Sequence, residues 1–339
     1  MEQCLRFLGK CRYTPKAHDK EVGSQTEGTW EGTNGMIRRS YVGLVSGLLF
    51  LVPCTIRAED QSFDSNGVNI RYLVQGKGEP VMLIHGFTAT IEMQWGLPGI
   101  IKDLAKEFQV IAFDNRGHGK SGKPHDPKKY GVEMVEDAVR LLDHLKIKKA
   151  HVVGYSMGAI ITAKLVAAHP ERILSATLGG AGAIRGDVDL SFFDVLADSL
   201  DQGKGIGPLL VALTPEGRPK PTEDQLKIMN QLLAATNDPK ALAAVVRSWK
   251  DLAVSDENLK ANHVPAQALI GGIDPLKKGV DELKERMPDL KVVVIDGADH
   301  MNAFIRPEFI KNLRDFLAKN GANGQATDND KSAPNDKPR

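Results

Sequence analysis

The chain has 339 residues, 42% of them apolar and 26% charged, a balance typical of a globular protein. Its net charge of +1 supplies no global field toward nucleic acid or an acidic surface, so no nucleic-acid partner is expected. The length allows one large domain or two smaller ones.

Residues 1–35 are polar and aperiodic, and read as a disordered extension or a start assigned too early. Residues 36–58 read as an export signal. Arg38 and Arg39 precede an apolar run from Tyr41 to Val52, and Ala58 offers a cleavage point. That run is short for a bilayer span. Export to the periplasm or beyond, from a start at Met36, is therefore expected. A membrane is a partner only if the apolar segment is retained as an anchor. "LVPC" resembles a lipoprotein cleavage box at Cys54, but the proline before the cysteine argues against it. All three cysteines, Cys4, Cys11 and Cys54, would be lost on cleavage after Ala58, leaving neither a disulfide nor a metal–thiolate site.

From residue 59 the pattern alternates. "QSFDSNGVNIRYLVQG" reads as a hairpin turning at Asn66-Gly67. "PVMLIHG" and "FQVIAFD" read as buried strands, and "VEMVEDAVRLLDHL" has helical spacing. "AHVVGYS" is a strand, followed by the helix "MGAIITAKLVAAHP". "ILSATLGG", "AQALIGG" and "KVVVID" complete the strands, with "PEFIKNLRDFLAKN" as the last helix. Solid apolar strands alternating with helices imply an α/β protein, a mostly parallel twisted sheet with helices on both faces. The alternation breaks at residues 184–262, where amphipathic helices without a convincing strand suggest an inserted helical cap. Residues 59–183 and 263–319 are then the two parts of the core, and 320–339 read as a disordered tail.

Ser156 stands at the centre of "GYSMG", between a strand and a helix. A sharp strand-to-helix turn exposes such a serine, requires glycine at 154 and 158, and aims free N–H groups of the helix start at the site. A serine hydroxyl needs a base. Of nine histidines, His300 lies in a loop just past the last strand, where it can reach Ser156. His85 follows an early strand and has another role, and His118 reads as structural. His18, His125, His144, His151, His169 and His263 read mostly as surface or capping residues. The base needs an acid. Asp274, at a strand end, is better placed than Asp296 or Asp299.

"HGF" at 85–87, "DNRGHGKSG" at 114–122, "GYSMG" at 154–158, "GGID" at 271–274 and "GADH" at 297–300 together resemble the α/β-hydrolase superfamily. The resemblance covers roughly residues 60–320. It implies an oxyanion hole from the backbone N–H groups of Phe87 and Met157, and a mainly structural role for Asp114, Arg116 and Gly117. Serine at the elbow disfavours dehalogenases and epoxide hydrolases, which carry aspartate there. C–C bond hydrolases usually place asparagine before the serine and an aromatic after the histidine, where this chain has Tyr155 and Met301. The motifs are more similar to the esterase, lactonase and haloperoxidase-like branch. A cofactor-free serine hydrolase of a small-molecule acyl substrate is therefore expected, with Ser156, Asp274 and His300 catalytic and no metal. Phe192, Phe193, Met229 and Trp249 are candidates to line its pocket. The alternatives are a C–C hydrolase, aminopeptidase or acyltransferase on the same triad, or a non-catalytic binding protein.

Overall fold

A computed structural model describes residues 59–186 and 190–321, all within one compact unit. The extension expected at 1–35, the export signal expected at 36–58 and the expected tail from 322 onward lie outside the described residues. Asn320, expected at the start of that tail, instead closes the last helix. Among the described residues no helix is long and apolar enough to cross a membrane.

Eight strands form one sheet: β1 (Gln61–Asp64), β2 (Asn69–Gln75), β3 (Glu79–Ile84), β4 (Phe108–Phe113), β5 (Ala150–Tyr155), β6 (Ile173–Gly179), β7 (Ala266–Gly271) and β8 (Lys291–Ile295). Their order is β1-β2-β4-β3-β5-β6-β7-β8. The β1–β2 hairpin turns at Asn66-Gly67, as the turn chemistry predicts, and β2 also pairs antiparallel with β4. From β4 through β8 every pairing is parallel.

Parallel strands need covered faces, and the period of two divides their side chains between two cores. On β3, Val81 and Leu83 join the cluster of Trp95, Ile100 and Phe309, which α1 (Ile100–Leu104) and the C-terminal helix Pro307–Asn320 help to build. Met82 and Ile84 point the other way, into the cluster built with α2 (Val132–His144) and α3 (Met157–Ala168). The cap supplies α4 (Ser191–Asp201), α5 (Gly207–Ala212), α6 (Glu223–Thr236), α7 (Pro239–Ser248) and α8 (Asp256–Lys260). Helix α6 starts at a reciprocal cap between Thr222 and Gln225, and α7 at the Asp238 carboxylate with Pro239 in its first turn. Among the described residues of the cap no strand forms, only an isolated bridge between Arg185 and Val254. The core then resumes with α9 (Lys277–Arg286) and ends with α10, the helix Pro307–Asn320.

His151 corrects one sequence expectation. It is not at the surface but wholly buried on β5, with Nδ1 2.7 Å from Ser175 Oγ and Nε2 3.3 Å from Glu79. Both partners come from neighbouring strands, so its own segment carries no sign of them.

Two buried carboxylates tie the loops at the C-terminal edge of the sheet. Asp114, at the end of β4, accepts from Ile91 N at 2.9 Å, Lys120 N at 2.9 Å and Arg71 Nη1 at 3.2 Å. Asp137 on α2 takes both Nε and Nη2 of Arg116 at 2.6 Å, with neither side chain more than 1% exposed. Removing one partner of such a pair strands a charge in the interior. Asp137→Ala is therefore expected to lower folding stability by about 3–5 kcal/mol, read from urea unfolding.

Candidate active site

Strand β5 ends at Tyr155, and α3 begins at Met157. Ser156 occupies the joint at φ 55°, ψ −116°, a strained conformation for a residue with a side chain. The strain is imposed by packing. A Cβ on Gly154 would overlap the Gly158 carbonyl, and a Cβ on Gly158 would overlap the Ile84 carbonyl of β3. Only glycine at both positions lets α3 lie that close to the sheet, and the tight turn then pushes Ser156 out into the cleft. Its own N–H still donates to Gly179 O at 2.7 Å, so sheet pairing holds the backbone up to the elbow itself.

The side chains singled out from the sequence converge here. Ser156 Oγ lies 2.9 Å from His300 Nε2, and His300 Nδ1 lies 2.9 Å from Asp274 Oδ2. With Nδ1–H donating to Asp274, Nε2 is left as the acceptor for the serine hydroxyl. The second Asp274 oxygen accepts from Leu276 N at 2.9 Å, so the carboxylate cannot rotate away from the ring. Asp296 is exposed, and Asp299 is occupied with its own turn, accepting from Met301 N and Asn302 N. Asp274 is thus the carboxylate that meets the imidazole.

Phe87 N–H and Met157 N–H donate to no acceptor among the described residues. Met157 is the first residue of α3, where an amide has no partner within the helix. The Phe87 loop is held rigidly. His85, fully buried, donates from Nδ1 to Gly86 O at 2.8 Å and accepts at Nε2 from Asn115 N at 3.0 Å. Asn115 Nδ2 donates back to His85 O at 3.1 Å. Thr88, next in the loop, also sits at positive φ, 63°. A β-branched residue adopts that conformation only where its surroundings enforce it. Two free amides beside a hydroxyl–imidazole–carboxylate line can receive a negatively charged oxygen next to an activated nucleophile. No group of metal-ligating side chains converges among the described residues.

Of the expected pocket residues, three aromatic rings are brought together. Trp249 packs edge-on against Phe87 at 5.1 Å and against Phe193 at 5.2 Å, and Phe193 meets Phe192 at 6.3 Å. This row runs from the loop that presents the Phe87 amide into the cap. Met229 is half-buried on α6 and packs against neither core cluster, so the structure leaves it outside that row. Two contributors escaped the sequence reading. Asn115 has a visible sign, its place in "DNRGHGKSG", but its bond to His85 crosses from one strand end to another. Tyr155 has none beyond its position before the serine.

A model of the alpha/beta hydrolase fold matches residues 79–206. The chain is 32% identical over 162 residues to 2-hydroxy-6-oxo-6-(2'-aminophenyl)hexa-2,4-dienoic acid hydrolase of Metapseudomonas resinovorans, covering 45% of this chain and 53% of that one. It is 28% identical over 256 residues to the putative non-heme bromoperoxidase BpoC of Mycobacterium tuberculosis, covering 72% and 95%. Several curated relatives are matched over only part of their length, between 31% and 53% of it. The solved enol-lactonase from Burkholderia xenovorans LB400 superposes with a TM-score of 0.62 at 22% identity, over 76% of this chain and all of that one. The chain has the α/β-hydrolase fold, and over residues 79–206 it is similar to the α/β-hydrolase superfamily.

The histidines beneath the Phe87 loop make this region sensitive to acid. The His118 ring packs on His85 at 5.3 Å and on Phe87 at 5.6 Å. Burial, aided by the neighbouring His85, pushes the His118 imidazole down to about 3, and burial likewise lowers His85. The unfolded chain therefore takes up these protons first, near the ordinary histidine value of about 6.5. Stability is full above that value and declines as pH falls toward 3. At pH 5 the loss through His118 is on the order of 2 kcal/mol. Urea titrations between pH 4 and 7 are expected to show this slope, shallower by about one proton in His118→Phe.

Proposed function

We propose that the protein is a serine hydrolase that cleaves a carboxylic ester or related acyl compound through an acyl-enzyme. The observation that carries this reading is the unbroken line from Ser156 Oγ through the His300 ring to Asp274, both links 2.9 Å long. Ser156 Oγ attacks the substrate carbonyl while His300 Nε2 takes its proton. The oxygen that becomes negative is received by Phe87 N–H and Met157 N–H, each worth ~3 kcal/mol of barrier lowering. His300 then returns the proton to the departing alkoxide, and the alcohol leaves. Water attacks the acyl-serine with His300 again as base, releasing the acid and restoring the Ser156 hydroxyl. Asp274 keeps its charge throughout, holding the ring in the tautomer the chemistry needs and stabilising its cationic form.

A second reading, hydrolysis of a C–C bond on the same three residues, is favoured by the likeness to the dienoic acid hydrolase. Tyr155 before the serine and Met301 after the histidine speak for the ester reading.

Ser156→Ala is expected to abolish both turnover of p-nitrophenyl esters and labelling by a fluorophosphonate, with an unchanged circular dichroism spectrum. Continued labelling of that variant at the wild-type rate would assign the nucleophile elsewhere. Asp274→Asn should cost on the order of 10,000-fold in kcat, the size of such a change in other serine triads. If simple esters are inert while a dienoic acid of the relative's kind is cleaved, the second reading replaces the first.

The aromatic row is expected to set acyl-chain preference, since ligand sites are mainly apolar with few polar groups. Phe193→Ala and Trp249→Ala should shift relative kcat/KM toward longer p-nitrophenyl esters, whereas Met229→Ala should leave the ranking unchanged. An identical ranking in all three variants removes the cap from substrate selection.

A further inference from the structure

Tyr155 is the last residue of β5 and the direct neighbour of Ser156. Successive strand residues point to opposite faces, so its ring turns away from the α3 side and enters the cluster containing Trp95 and Phe309. The neighbouring strand leaves a slot for it. A Cβ on Gly179 would come 2.7 Å from the Tyr155 ring, and one on Gly180 within 2.7 Å of ring Cζ and 3.0 Å of the hydroxyl. Gly180 also lies at φ 67°, which favours glycine independently. The ring then rests against Phe304 at 5.1 Å and Phe309 at 6.0 Å, with 2% of the residue exposed.

At the far end of this slot the Tyr155 hydroxyl donates to the backbone carbonyl of His300 at 2.6 Å. The rest of the loop is tied elsewhere. Ala298 O accepts from Ile273 N at 3.0 Å, and Asp299 closes the turn that follows. The phenol is therefore the link between the backbone of His300 and the strand that carries Ser156.

We infer that Tyr155 is a positioning residue for the base: through its hydroxyl it sets the distance of the His300 backbone from the elbow, and so the reach of Nε2 to Ser156 Oγ. This rests on the reading of Ser156 and His300 as nucleophile and base. Proton transfer needs a separation of about 2.6–3.2 Å, and a shift of roughly 1 Å can cost 100-fold. The imidazole is held at its outer nitrogens by Asp274 and Ser156, but those bonds change character with each proton transfer. The bond to the carbonyl does not, because that oxygen takes no part in the chemistry. A phenol suits this role because it is rigid. Burial, together with the nearby Asp274 and Asp299 charges, also holds it well above its usual range, so it stays a donor.

Tyr155→Phe keeps the ring and its packing and removes only the donor. Two measurements on the full chain test the inference: steady-state kinetics with p-nitrophenyl butyrate, and amide hydrogen exchange of residues 298–305. The expected result is a fall in kcat of roughly 10-fold, about 1.4 kcal/mol, with KM within twofold, together with faster exchange confined to that loop. Unchanged exchange in the loop overturns the inference whatever the activity. So does faster exchange with kcat unaltered, or a KM and melting temperature that move as much as kcat, which marks a general packing defect. If the wild-type protein neither hydrolyses the ester nor takes a fluorophosphonate, the functional reading fails by itself. The exchange comparison still decides whether Tyr155 anchors the loop.

Discussion

Three stretches of backbone meet at the elbow more closely than any side chain permits. The Gly154 segment lies against the Gly158 carbonyl, and Gly158 against the Ile84 carbonyl at the end of β3. That contact forces the positive φ of Ser156 and leaves the first amide of α3 without a partner. It also brings the end of β3 beside the serine, so that the Phe87 amide and the Met157 amide arrive together. The Ser156 hydroxyl and the two unpartnered amides are thus products of a single packing event between β3, β5 and α3. Gly86 shows how tightly the joint is made: a Cβ there would stand 3.3 Å from that of Ser156.

Around this joint the polar interior has a different role from the apolar core. The apolar clusters fix how helices lie on the sheet, but they do not aim loops. Loops are aimed by buried hydrogen bonds that cross between strand ends. His85 and Asn115 lock the β3 and β4 loops to one another. Asp114 gathers the segments at Arg71, Ile91 and Lys120. Leu276 N holds the carboxylate of Asp274. Each of these groups is costly to bury unpaired, so each pairing is enforced by the same desolvation that would punish its loss. The positions of these loops therefore follow from pairing polar groups in the interior.

Much of this was legible in the sequence because it is local. Solid apolar runs such as "PVMLIHG" and "AHVVGYS" are strands because parallel strands are buried on both faces. Ser156, Asp274 and His300 follow strands in chain order, and strand ends in this kind of sheet share one edge. What the sequence hid is set by neighbours distant in the chain. The Tyr155 slot depends on Gly179 and Gly180 of the adjacent strand, and "LGG" by itself announces only a turn. His151 is buried by Ser175 and Glu79, each from a different strand. Phe193 and Trp249 were grouped with Met229 as apolar residues of amphipathic helices. Which of them face Phe87 depends on how the cap helices sit, and hydrophobic period along one helix carries no information on that.

The pairing order of the strands has a consequence for how the molecule comes into being. Ser156 follows the central β5, whereas His300 follows β8, the last strand to be made and the outermost on its side of the sheet. A chain emerging from the ribosome carries β3, β5 and the elbow between β5 and α3 before Asp274 and His300 have been synthesised. Throughout that interval the Ser156 hydroxyl lacks the base that the proposed function assigns to it. On the proposed function, activation of Ser156 therefore waits for β8 to pair with β7 and bring the His300 loop over to β5.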